Sequence, residues 1–232
     1  MNDYLLFLDT ETSGLPKNWN LPYAASGNWP FSVQVAWIIY TKDGHELKRE
    51  NHYIKDEAVT IDKSATKIHG ITSDFLSKNG EERKDVLQLL HRDLVHFQPL
   101  VIGHFIEFDQ HILAADFLRT NIENLLKKEN SFCTMLATTH LVKNPALKFF
   151  RLGQLYETLF NKTLEDQHNA LNDAKASADC FFELLKRGEI DDGKIVFQQQ
   201  QTKNTDHTGG KHGCATLVLA IISFLILITF FL

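Results

Sequence analysis

Asp9 and Glu11 stand two residues apart in FLDTETSGLP, at the point where the apolar run Leu5 to Leu8 stops. An isolated D-x-E has an ordinary reading, a strand end followed by a solvated acid. Three further residues change that reading. Asp109 follows the buried stretch of VIGHFIEFD, and in HNALNDAKAS His168 precedes a helix whose opening turns carry Asp173. Alone, Asp173 fits an acid favoured by a helix dipole, and His168 fits a surface or capping residue. Four carboxylates converging on one cleft would repel one another and lose hydration unless divalent cations neutralised them. Hard oxygen donors without a Cys/His cluster point to two Mg²⁺ or Mn²⁺ ions rather than to structural zinc. Two such ions roughly 3.5–4 Å apart suit in-line displacement at a phosphodiester, one serving the attacking water and the other the departing oxygen. His168, whose side chain titrates near neutral pH, is then the candidate general base.

The elements that must position these residues can be read along the chain. Leu5 to Leu8 is a central strand by its unbroken apolarity. A loop rich in Gly, Pro, Asn and Trp runs from Ser13 to Pro30, FSVQVAWIIY (Phe31 to Tyr40) is a strand, and KDGHE turns the chain into LKRENHYI, giving a three-stranded meander. Asp62 is placed to cap a short helix that Gly70 stops, and Thr72 to Asp74 offer further caps. Val86, Leu89, Leu90, Leu94 and Phe97 recur at helical spacing, Pro99 ends that helix, and LVIGH follows as a buried strand. FDQHILAADFLR is helical and FCTM a short strand. Leu152, Leu155, Tyr156 and Leu159 mark another helix, and Ala170 to Arg187 the next. A meander followed by strand-helix-strand units predicts an α/β sheet, part antiparallel and part parallel.

Composition bounds the rest. The 232 residues, 44% of them hydrophobic, suffice for one substantial core. A net charge of -5 argues against broad electrostatic capture of a polyanion, so metal ions or a local basic patch must supply positive charge. Lys143, Lys148 and Arg151, interleaved with Phe149 and Phe150 around LKFFRL, are candidates for such a patch, although a solvated helix entry with two buried rings explains the same run. EERK at 81–84 reads as surface charge. Cys133, Cys180 and Cys214 are odd in number and far apart, which fits neither a disulfide framework nor a zinc site and suits a reducing compartment. The N-terminus lacks a secretory signal pattern.

The domain expectation is a catalytic unit over 1–190, a polar linker without apolar period over 191–214, and a charge-free segment, ATLVLAIISFLILITFFL, over 215–232. At ~1.5 Å per residue this last segment is long enough as a helix to cross most of a ~30 Å hydrocarbon layer. Its expected role is a single-pass C-terminal anchor in a lipid bilayer, with the catalytic domain facing the cytosol.

The ordered set LDTETSGLP, GHFIEFD and HNALNDA resembles the three motifs of the DEDDh, or DnaQ-like, 3′-to-5′ exonuclease family, over roughly Asp3 to Arg187. The resemblance implies an RNase H-like fold, with a five-stranded mixed sheet flanked by helices, and release of 5′-mononucleotides from the 3′ end of a nucleic acid. It implies that Asp9 bridges both ions, that Glu11, Asp109 and Asp173 complete their coordination, and that His168 activates the water. KIHGIT (Lys67 to Thr72) is similar to the family's segment along the terminal nucleotide, and with TSGLP it implies substrate contacts at Thr12, Leu15, Ile68 and His69. Leu15 and Ile68 also suit a core. Where family members often carry Asn after the His of the second motif, this chain has Phe105 after His104. With its apolar C-terminus the layout is similar to tail-anchored three-prime repair exonucleases. The leading expectation is a membrane-tethered exonuclease, DNA favoured over RNA. The alternatives are a polymerase-associated proofreader, an exoribonuclease, and, in a different class, an inactive nucleic-acid-binding module at a membrane.

Overall fold

A computed structural model describes residues 1–126 and 130–207. The chain opens with β1 (Tyr4–Thr12), β2 (Ser32–Thr41) and β3 (Glu46–Lys55), an antiparallel meander. Its second turn uses Gly44 at φ 87°, a conformation that side chains with a Cβ rarely adopt. Short helices α1 (Lys63–His69) and α2 (Ser73–Asn79) follow, the second capped by the Thr72 hydroxyl accepting from the Phe75 amide. Next come β4 (Glu81–Glu82), α3 (Arg83–Phe97), β5 (Leu100–Gly103), α4 (Ile106–Thr120) and β6 (Ser131–Cys133). Helices α5 (Thr134–Ala137), α6 (Leu152–Phe160), α7 (Ala170–Lys186) and α8 (Asp192–His207) complete the described chain.

The strands form one sheet in the order β4-β3-β2-β1-β5-β6, with β5 parallel to β1 and β6 parallel to β5. Because side chains alternate across a strand, β1 feeds two cores. Leu6 and Leu8 join Val35, Trp37, Val86, Leu87, Leu90, Leu113 and Phe117 under α3 and α4. Leu5 and Phe7 join Ile38, Leu155, Ala174, Ala178, Phe181 and Leu184 under α6 and α7. Both faces of β1 are covered, as its unbroken apolar run predicts.

Several expectations are corrected. The sheet has six strands, not five, because Glu81 and Glu82 pair with Ile54 and Lys55. The run EERK is not all surface: Arg83 is 8% exposed and donates to the fully buried Asp116 carboxylate at 2.7 Å. Only the first part of FCTM is strand; Thr134 and Met135 begin α5. Asp62 precedes α1 without a side-chain capping bond. Residues 192–207, expected in a flexible linker, form α8: Ile195 is buried in the core, and the Gln198 amide accepts from the Cys133 N–H at 2.6 Å and donates to the Cys133 carbonyl at 3.2 Å. One glutamine thus covers backbone groups of the edge strand β6, a contact that composition does not reveal.

The membrane expectation is also corrected. Among the described residues no helix is long and apolar enough to cross a membrane. The segment 215–232, on which the anchor, the bilayer partner and the cytosol-facing orientation rested, lies outside the described residues. Membrane localisation is therefore withdrawn.

Candidate active site

β1 does not stop at the apolar run but continues through Asp9 and Glu11 to Thr12. The two-residue period puts both acids on the face that α7 covers, and turns Thr10 to the opposite face, toward α4. The Thr10 hydroxyl donates to Asp109 Oδ1 at 2.7 Å, fixing a carboxylate that is 3% exposed in the first turn of α4. Asp173 sits in the first turn of α7, and its Oδ2 accepts from the His168 backbone N–H at 3.0 Å.

The start of α7 is held by three polar side chains. Asn169 caps it, accepting from the Leu171 and Asn172 amides at 3.2 and 3.4 Å. Asn169 also donates to the Tyr53 hydroxyl at 3.4 Å. Gln34, fully buried in β2 and paired in register with Glu11, accepts from the Ala170 N–H at 3.2 Å and donates to Asn51 Oδ1 at 2.8 Å. Gln34 therefore ties the strand register of Glu11 to the helix that carries Asp173. Gln34→Leu is expected to lower kcat about 10- to 100-fold through misplacement of the reacting groups, with KM for an oligonucleotide unchanged. Steady-state kinetics alongside a thermal melt checks this; a loss confined to KM would contradict it.

One ligand atom each from Glu11, His168 and Asp173 lies within 4.8 Å of the others, near enough to share one cation. Asp9 and Asp109 adjoin this trio electrostatically. Burial, then Asp109, Asp173 and Glu11, push the Asp9 carboxyl far above its ordinary range. Burial, Asp173 and Asp109 push Glu11 up to about 8. Burial lifts Asp109 to about 7 against the opposing Thr10 hydrogen bond, and lifts Asp173 to about 6. Among the described residues no lysine or arginine pairs with any of the four. Asp173 Oδ1 is buried without a hydrogen-bond partner. An orphaned buried carboxylate oxygen within a set of mutually repelling acids is what a divalent cation would satisfy, so the residues present fit a metal centre.

His168, at φ 65° just before α7, is exposed, and burial of part of its ring together with the Arg151 guanidinium holds its pKa below the ordinary value. Arg151 owes its place to the segment before it. Burial keeps His104 neutral, pushing its pKa down to about 4; Nε2–H then donates to the Phe150 carbonyl at 2.9 Å, and Nδ1 accepts from the Thr134 hydroxyl at 3.1 Å. Phe149 and Phe150 pack against the two cores, while Lys148 and Arg151 remain exposed.

The residues expected at the terminal nucleotide divide into two kinds. Leu15 and Ile68 are 48% and 50% exposed, which rules out the core reading of both. Thr12 and His69 are used internally. The Thr12 hydroxyl donates to the Gly14 carbonyl at 2.7 Å, and its own carbonyl accepts from His69 Nε2–H at 3.1 Å. His69 Nδ1 accepts from the Ile71 amide at 3.0 Å, so both ring nitrogens are occupied. Gly14 allows the close approach of this loop to α1, since a Cβ there would lie 2.3 Å from Asp62 Oδ2. Thr12 and His69 thus fasten the segments that present Leu15 and Ile68. Thr10, Gln34, Asn169 and His104 were not legible as site residues, although Gln34, one polar residue inside FSVQVAWIIY, carried a signal.

A six-stranded mixed sheet flanked by helices, with four acids and a histidine gathered around the end of its central strand, defines an α/β nuclease domain. The chain belongs to the exonuclease family, whose profile matches residues 6–181 and so spans every residue of this site. Among solved structures, one of exonuclease I superposes with a TM-score of 0.66 at 16% identity, covering 84% of this chain and 43% of that one. E. coli exonuclease I in complex with a dT13 oligonucleotide gives 0.64 at 18% identity, covering 80% and 41%. A product-bound exonuclease I gives 0.65 at 17%, covering 85% and 46%. At these identities the likeness is one of fold, and the chain spans less than half the length of those proteins. No curated protein sequence matches the chain.

Proposed function

We propose that this chain hydrolyses nucleic acid from its 3′ end, releasing 5′-mononucleotides, with DNA favoured as substrate. The observation that carries this reading is the single constellation of Glu11, His168 and Asp173 within 4.8 Å, adjoined by Asp9 and Asp109. Asp9, Glu11, Asp109 and Asp173 would hold two Mg²⁺ or Mn²⁺ ions. Bound there, the ions supply the positive charge that the attacking and departing oxygens of a phosphodiester need. His168, held neutral and next to Glu11 and Asp173, accepts the proton of the attacking water. Arg151, the exposed cation beside His168, steadies a substrate phosphate. Leu15 and Ile68 flank the terminal nucleotide with apolar surface. Thr12 and His69 act there through the backbone and by position.

DNA is favoured because similar solved structures of E. coli exonuclease I hold dT13 and dA16 oligonucleotides. The unit assigned to the activity is residues 1–190, on which α8 docks. Digestion of 5′-labelled single-stranded DNA and RNA with Mg²⁺, Mn²⁺ or EDTA tests the reading. A ladder of stepwise 3′ shortening, faster on DNA and absent in EDTA, is expected. Internal cuts, or shortening that persists in EDTA, would overturn it.

A further inference from the structure

The loop between β1 and β2 places an aromatic surface beside the site. Of the three tryptophans, Trp29 and Trp37 are buried and their indole N–H groups are partnered, Trp29 to the Leu21 and Pro22 carbonyls and Trp37 to Asp93. Trp19 differs: it is half-buried, and its indole N–H makes no hydrogen bond to another described residue. Its ring meets His111 at 5.6 Å and Trp29 at 6.0 Å on the inner side, and Phe108 at 6.0 Å and Phe105 at 6.3 Å; Phe105 stacks on Phe108 at 6.2 Å with 19° between planes.

Both sides of this surface are held. The loop is closed by reciprocal bonds between Asn18 and Asn28, each at 2.9 Å, and by the Ser13 amide on the Phe31 carbonyl at 2.8 Å. Trp29 packs under the loop, stacked on His111 of α4 at 5.2 Å. On the other side Phe105 sits at φ 70°, uncommon for a bulky residue, immediately before the helix whose first turn carries Asp109. Two residues before Trp19, the exposed Lys17 makes no ion pair among the described residues. A half-exposed indole and a lysine, both without a polar partner among the described residues, next to a second ring at the start of the helix that carries Asp109, match the bases and phosphates of a nucleic-acid strand.

We infer that Trp19 and Phe105, backed by Phe108, stack an unpaired base of the substrate strand upstream of the nucleotide being removed, while Lys17 meets its phosphate. This rests on the exonuclease reading for the identity of the strand. It adds a place where that strand must be single. A base engaged in a duplex offers no free face, so the surface selects unpaired 3′ ends.

The test uses the full chain with 5′-fluorescein-labelled oligothymidylate and Ca²⁺, reading anisotropy. Trp19→Ala is expected to raise Kd about tenfold, the size of one base–aromatic stack, and Trp19→Phe to raise it less. In an abasic walk along the last six nucleotides, removing one particular base should weaken wild-type binding about tenfold and weaken Trp19→Ala no further. Trp19→Phe also removes the indole fluorescence change that binding produces in the wild type. An unchanged Kd in Trp19→Ala overturns the proposal. So does an abasic walk in which no position stands out, which needs only wild-type protein should Trp19→Ala fail to fold. Wild type that binds and shows the sensitive position but releases no nucleotide with Mg²⁺ or Mn²⁺ would sink the exonuclease reading and leave the stacking surface. Wild type that digests DNA while the walk is flat would sink the stacking surface alone.

Discussion

Asp9→Asn is expected to cut nucleotide release by a factor on the order of 10³ or more while making the metal-free fold more stable. The two effects share one cause. Asp9 is surrounded by three other carboxylates and opposed by burial, so its charge is costly to the fold unless cations neutralise it. Asn keeps the shape, removes one negative charge and forfeits a carboxylate of the proposed metal centre. The sign follows from linkage. Acids whose folded pKa lies above the unfolded value bind protons more tightly when folded, so stability falls as pH rises from the unfolded pKa through the folded one. With Glu11 at about 8, Asp109 at about 7 and Asp173 at about 6, the metal-free wild type should lose melting temperature progressively between about pH 4 and pH 8. Asp9→Asn should melt about 3–6 °C higher than wild type at pH 8 in EDTA, the equivalent of about 1–2 kcal/mol in a chain of this size. Calorimetry in EDTA and digestion in Mg²⁺ read the two effects separately. Full turnover, or a variant that melts below wild type at pH 8, would contradict this account of the cleft.

His168→Gln is expected to lower turnover by about 10²–10⁴-fold, the range for loss of a positioned general base. Burial and Arg151 depress the His168 pKa below its ordinary value, so the ring is neutral and ready to accept a proton at pH 7. Activity at saturating metal should therefore fall only on acidification below about pH 6.5, and that acid limb should be missing from the residual activity of His168→Gln. At limiting metal a second dependence emerges. Protons compete with cations for carboxylates that titrate as high as about 8 at Glu11, so activity should keep rising toward pH 8. Initial rates across pH at two metal concentrations separate the two. A variant that keeps the wild-type acid limb would remove His168 from the role of base.

The parts of the fold legible in the sequence are those set by local pattern. Leu5 to Leu8 announces a strand covered on both faces, and Val86, Leu90 and Leu94 a helix face, because burial requires those periods. Asp9 and Glu11 are part of the same strand, but polar side chains hide strand character from a reading based on apolarity. EERK reads as surface because its charges are local and their partner is not: Asp116, which buries Arg83, comes 33 residues later. The α8 segment has no apolar period, and its attachment depends on Ile195 and on Gln198 meeting β6. The apolarity of 215–232 suggested a membrane on hydropathy alone, and among the described residues no helix suits one. In the site, five residues of three types stood out by spacing; Glu11, His168 and Asp173 meet within 4.8 Å, and Asp9 and Asp109 adjoin them electrostatically, because strand and helix periods translate into shared faces. Their supports were not legible, since Thr10, Gln34 and His104 act through hydrogen bonds to residues 99, 136 and 46 positions away. Leu15 and Ile68 required the structure, because an apolar residue type alone does not say whether it is packed or presented.

Diffraction from crystals soaked in Mn²⁺ with a mononucleotide, recorded at the manganese edge, tests the cleft most directly. Two anomalous peaks about 3.5–4 Å apart are expected among Asp9, Glu11, Asp109 and Asp173, with Asp173 Oδ1 no longer without a partner. No peak there, or manganese bound only elsewhere on the protein, would show that these acids do not form a cation cage.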